Sequence, residues 1–112
     1  MSLQKRKPIR SKAIRQAAKD EPCTLCGTND GTTVFCHLNE GWAGKCMGQK
    51  ADDLGGGFFA CYSCHLKYDK NSGDIDPAMV LRSVYRTLVR LYELGIIRIS
   101  NEKTKTVKEK MS

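Results

Sequence analysis

No apolar run in the chain approaches 18 residues, and no hydrophobic segment follows the N-terminus. The first lack argues against a membrane-spanning helix and the second against a secretory signal, so the cytoplasm is the expected setting. There is no internal repeat. Histidine is scarce: His37 and His65 are the only two, so any chemistry that needs imidazole must draw on them. Acid is missing altogether from residues 1–19, where Lys5, Arg6, Lys7, Arg10, Lys12, Arg15 and Lys19 stand. That segment carries the whole net charge of +7. A phosphate backbone is the partner such a one-sided segment suits, and a solubilising tail is the plainer alternative.

At 112 residues the chain is one small domain with room for a limited core, so a bound metal would help it fold. Six cysteines are present. In a reducing compartment, paired Cys-x-x-Cys motifs favour metal over disulfide. Four segments are expected. They are a basic arm with a helix over 1–19, a zinc-binding core over 20–72, a long helix and short strand over 73–99, and a flexible tail over 100–112.

Residues 1–8 read as disordered up to Pro8. Ser11 can N-cap a helix through about Lys19, with Ala13, Ile14, Ala17 and Ala18 as a thin apolar stripe. Glu21-Pro22 ends it, because the residue before proline avoids the helical region. Cys23-Thr24-Leu25-Cys26-Gly27 follows, the pattern of a zinc knuckle whose glycine accepts a positive φ. Thr28–Gly31 is turn chemistry, and Thr32–His37 reads as a strand of β-branched and aromatic residues.

Six glycines fall within 39–57, predicting an irregular loop that ends in a second short strand at Phe58–Ala60. A helix starts near Cys64. A second helix is capped by Asp74 or Asp76, carries Pro77 in its first turn and stops at Gly95. Its apolar residues, Leu81, Val84, Tyr85, Leu88, Leu91 and Tyr92, are assigned to the core. Ile96–Ile99 reads as an edge strand.

The strongest signal is the pairing of Cys23 and Cys26 with Cys61 and Cys64. Two such units, the first on a knuckle and the second entering a helix, supply a closed tetrahedral thiolate site for a structural zinc. The order knuckle, hairpin, knuckle-helix is that of a treble-clef or ββα-metal α+β domain. A site with all four positions taken by protein leaves no water to react, so activity has to rest elsewhere.

His65 and Asp69 lie one turn apart on the same helix face and offer N and O donors to a second ion, which could be Mg²⁺, Mn²⁺, Ni²⁺ or Zn²⁺. His37, at the end of its strand, is placed to reach the same pocket and to take a proton from water. The plainer alternative makes His65 a helix-capping residue and His37 an ordinary strand residue. Trp42 could stack on a base or anchor its loop, and Cys46 reads as packing or loop anchoring. Arg10, Lys12 and Arg15 on the arm, with Lys45 and Lys50 in the loop, are the candidate phosphate contacts.

The succession Cys-x-x-Cys, a strand ending in x-His, a glycine-bearing loop and Cys-x-x-Cys-His-x-x-x-Asp resembles the HNH endonucleases. In particular it resembles the small phage and prophage nucleases typified by YbcO. The resemblance covers about residues 11–75. It implies that His37 is the general base, that His65 and Asp69 ligate the catalytic metal, and that Cys36 adds a ligand. It also implies that DNA is the substrate. Two positions depart from the pattern. A thiol, Cys36, stands where Asp, Glu or His is usual. No asparagine precedes the second cysteine pair to orient the base, and Asp53 and Asn39 are the two residues that could replace it.

Two other functions fit the same motifs. One is a non-catalytic zinc module that binds nucleic acid. The other is a phage protein that docks through its 77–94 helix on replication or recombination factors of phage or host. Oligomeric state is open.

Overall fold

The computed structural model describes residues 7–100, apart from the side chains of residues 71 and 72. The segments expected to be disordered at the N-terminus and flexible at the C-terminus therefore lie largely outside the described residues. Five main elements follow in order: α1 (Lys12–Gln16), β1 (Val34–His37), β2 (Gly57–Ala60), α2 (Tyr62–Asn71) and α3 (Pro77–Glu93). The result is a small α+β fold. Among the described residues no helix is long and apolar enough to cross a membrane.

Ser11 caps α1 by accepting from the Ile14 amide at 3.1 Å. The helix is shorter than expected. Its last turn tightens, with the Ala17 amide shared between the carbonyls of Ala13 and Ile14, and Asp20 then takes a left-handed φ of 68°. Of the expected stripe, Ile14 and Ala18 are buried while Ala13 faces solvent. The first expected strand also begins late, at Val34. Thr32 is occupied otherwise: its amide and hydroxyl bond to the Asp30 carboxylate, and its hydroxyl accepts from the Tyr62 amide at the start of α2. That contact helps start α2 at Tyr62, ahead of the expected Cys64.

β1 and β2 pair antiparallel, Val34 opposite Ala60, Phe35 opposite Phe59, Cys36 opposite Phe58 and His37 opposite Gly57. Alternation divides the two faces of this hairpin. Cys36, Phe58 and Ala60 join Tyr68 of α2 and Val80 and Val84 of α3, whereas Phe59 packs with Ile14, Ala18 and Leu91. Gly57 is required where it stands. A Cβ there would lie 2.5 Å from the Phe35 ring and 2.6 Å from the Cys36 carbonyl oxygen.

Helix α3 corrects the sequence reading. Its buried residues are Val80, Ser83, Val84, Thr87 and Leu91, while Leu81, Tyr85 and Tyr92 are 52%, 66% and 53% exposed. The reason is the outer edge of β2. The Phe59 amide points away from β1 and donates to Thr87 Oγ1 at 3.0 Å, and the Phe59 carbonyl accepts from the amide and hydroxyl of Thr24. Ser83 Oγ donates to the Thr24 carbonyl at 3.1 Å. An unpaired strand edge demands polar partners, and the helix turns its hydroxyls inward to meet that demand. Asp76 is the cap of α3, accepting from the Ala78 amide.

Ile96–Ile99 forms no strand. The amides of Ile96 and Ile97 bond back to the Leu91 carbonyl, closing the helix around Gly95, whose φ is 80°.

Candidate metal centre and cleft

The first knuckle holds its shape through the amides of Leu25 and Cys26, each 3.4 Å from Cys23 Sγ, and through Gly27 at φ 85°. The second pair straddles the start of α2. All four sulfurs of Cys23, Cys26, Cys61 and Cys64 lie within 4.8 Å of one another. Cys26 Sγ and Cys61 Sγ are 3.7 Å apart. Zinc–thiolate bonds of about 2.3 Å in a tetrahedron separate sulfurs by about 3.8 Å, so the group is dimensioned for zinc or a similar ion.

The thiols are unequal. The Thr28 hydroxyl, then the Thr28 amide, lower the Cys26 pKa to about 6, giving a thiolate at neutral pH. Burial raises Cys61 and Cys64. A bound cation would offset that cost.

A second donor group uses the next residues of α2. Cys36, His65 and Asp69 also place one ligand atom each within 4.8 Å of the others. His65 Nε2 is 3.2 Å from Asp69 Oδ2, the one-turn spacing on α2. Cys36 comes from β1 and is fully buried. Burial, with the charges of Asp69 and Cys23 adding to it, pushes its thiol up to about 12, so it ligates only if an ion displaces its proton. Three donors of mixed type leave coordination positions open, and the soft sulfur favours zinc or nickel over magnesium.

His37 ends β1. Its ring stacks edge-to-face on Phe35 at 5.0 Å, and its Nε2 lies 2.7 Å from Asp53 Oδ1. Asp53 has no exposed surface and is surrounded by donors. Its Oδ2 accepts from the Ser11 amide at 2.7 Å and from Arg15 Nε at 3.1 Å. Burial alone would raise this carboxyl. The hydrogen bonds from His37 and Ser11 and the nearby positive charges outweigh it, and the pKa falls below the ordinary value of 3.8. An ionised carboxylate only accepts, so Nε2 carries the ring proton and Nδ1 keeps a free lone pair. Of the two residues offered as partner to His37, Asp53 takes the position. Asn39 instead gives its backbone amide to the Tyr68 hydroxyl at 2.9 Å.

His37, His65 and Asp69 face one cleft of about 500 Å³, lined also by Arg15, Phe35, Leu38, Asn39, Lys45 and Lys50, with Cys36 and Asp53 buried behind it. Three of the five basic residues singled out in the sequence, Arg15, Lys45 and Lys50, are on its walls. Arg10 is engaged differently: its guanidinium donates to the carbonyls of Ala51 and Lys50 at 2.6 and 2.8 Å, clamping the loop to the arm. Lys12 is exposed and does not line the cleft. Cys46 exchanges two backbone hydrogen bonds with Gln49, and Trp42 is 64% exposed on a 3-10 turn at Gly41–Ala43. Sequence reasoning missed the tie between the arm and Asp53. Its one visible signal was the acidic pair Asp52-Asp53 within the glycine-rich loop.

Fold and clusters together define a small α+β protein with a four-cysteine group fit for a metal such as zinc. The family model described as "Putative nuclease YbcO" matches residues 12–96, and the chain belongs to that family. No curated protein and no solved structure matches the chain.

Proposed function

We propose that the protein is a metal-dependent endonuclease of the HNH type that hydrolyses DNA phosphodiester bonds, with a structural zinc on Cys23, Cys26, Cys61 and Cys64. One observation carries this reading. His37, fixed by the buried Asp53 carboxylate, borders one basic-walled cleft with His65 and Asp69, whose donor atoms lie within 4.8 Å of the buried Cys36 sulfur.

In this reading Asp53 holds the His37 ring with its proton on Nε2, and Nδ1 takes a proton from the attacking water. The imidazolium so formed is stabilised by the same carboxylate. Arg15, Lys45 and Lys50 hold the DNA backbone in the cleft. An ion held by His65, Asp69 and Cys36 supplies, when bound, positive charge beside the scissile phosphate and the leaving 3′-oxygen. His65 and Asp69 on one helical turn, and Cys36 on the adjoining strand, keep those donors in fixed relation.

The test is nicking of supercoiled plasmid with Mg²⁺, Mn²⁺, Ni²⁺ or Zn²⁺ added in turn. His37→Ala should lose at least about 100-fold in rate, the scale of a positioned general base, with zinc content and circular dichroism unchanged. Undiminished metal-dependent cutting by that variant removes His37 as the base. A wild-type chain that binds one zinc and DNA but never cuts is instead a non-catalytic nucleic-acid module.

A further inference from the structure

Helix α3 is apolar on two faces, and among the described residues only one of them packs into the core. Val80, Val84 and Leu91 pack inward with Ser83 and Thr87. Leu81, Tyr85, Leu88 and Tyr92 form a second line, spaced by four, three and four residues, which is the repeat of an interhelical seam. Leu88 straddles the two faces, and Val89, 38% exposed, widens the second. A contiguous stripe of this kind on a small protein marks a contact surface.

The stripe is self-complementary. Laid against a second copy running the opposite way, Leu81 meets the partner's Tyr92 and Tyr85 meets the partner's Leu88. Every layer then pairs a leucine with a tyrosine. In such a two-fold arrangement the same flank of each helix meets its equivalent. Arg82 and Glu93 lie on one flank, placed almost symmetrically about the midpoint of the seam, so Arg82 comes beside the partner's Glu93. The parallel arrangement would put leucine on leucine and tyrosine on tyrosine, and would leave Arg82 and the partner's Glu93 on opposite sides of the seam. Burying the stripe on both copies removes on the order of 1,000 Å² from water, the scale at which a specific interface becomes stable. We propose that α3 is a homodimer interface in which two copies pair antiparallel through Leu81, Tyr85, Leu88 and Tyr92.

This proposal is independent of the nuclease reading. No residue lining the cleft comes from α3, so pairing leaves both clefts open. A dimer of this kind would present two clefts related by two-fold symmetry.

Sedimentation equilibrium of the full, zinc-loaded chain tests it. The wild type should be dimeric at about 50 µM and dissociate on dilution, as expected for an interface near the lower size limit. Tyr85→Glu should be monomeric at that concentration, with unchanged zinc content and the same nicking rate per chain as a wild type diluted to monomer. Because Tyr85 is 66% exposed, the substitution leaves the core untouched. Arg82→Glu should weaken the dimer about tenfold through like-charge contact with Glu93, and adding Glu93→Arg to the same chain should restore it. A monomeric wild type at every concentration overturns the proposal. So does a dimer that survives Tyr85→Glu, or a charge swap without recovery.

Discussion

Two oxygens of Asp53 serve the His37 ring, the Ser11 amide and Arg15 at once. Asp53→Asn keeps one acceptor but turns an NH₂ toward groups that also donate. The variant should lose about 1–3 kcal/mol in urea unfolding, the cost of leaving a buried donor unpaired, and should release the arm, seen as faster amide exchange at Ser11. The pH dependence follows from the depressed carboxyl. Its stabilisation is fully present above the ordinary value of 3.8 and is lost as pH falls through the lower folded value, so the arm holds through neutral pH and loosens only in strong acid. The cysteines make a second residue-scale test. In chelator-treated protein at pH 7, iodoacetamide should reach Cys26 before Cys36, Cys61 or Cys64, because only the Cys26 thiol is lowered, to about 6. Equal labelling of the four would contradict that order. In the zinc-loaded protein Cys26 should be protected.

Elements were legible where short-range chemistry set them. The knuckle at Cys23–Gly27, the hairpin strand ending in His37 and the cap and stop of α3 all depend on neighbours within a few residues. What could not be read was set by partners far along the chain. Helical spacing found the apolar residues of α3 but could not tell that Phe59, at the edge of β2, needed a hydroxyl. That need rotates the helix so that Thr87 faces in and Leu81, Tyr85 and Tyr92 face out. The choice between Asp53 and Asn39 as partner to His37 stayed open in the sequence for the same reason, since the Ser11 amide that also holds Asp53 lies 42 residues before it. Thr87→Val, which keeps the shape and removes the acceptor, should cost about 1–3 kcal/mol by thermal or urea unfolding. Thr87→Ser, which keeps the hydroxyl, should cost less. An equal loss from both would show that the methyl, and not the hydrogen bond, holds α3 to the strand.

At the scale of the molecule, the four-cysteine group joins the first knuckle to the start of α2, and Glu21 adds a bidentate ion pair with Arg90 across 69 residues. A core this small relies on such ties. With zinc loaded on the four-cysteine group, a strong chelator should therefore lower the melting temperature substantially and added zinc restore it, whereas Cys46→Ser, at an exposed thiol outside both donor groups, should leave it unchanged. The long reach of these ties also bears on how the protein is made. On a ribosome the first knuckle emerges with two of its four sulfurs and must wait for Cys61 and Cys64, then for Ser83 and Thr87 to close the strand above it. At about 5–20 residues per second, that leaves an open, thiol-rich intermediate for several seconds. A nascent chain ending at residue 82 carries both donor groups but lacks the Ser83 and Thr87 hydroxyls that close the strand edge, and is expected to stay open until α3 leaves the exit tunnel.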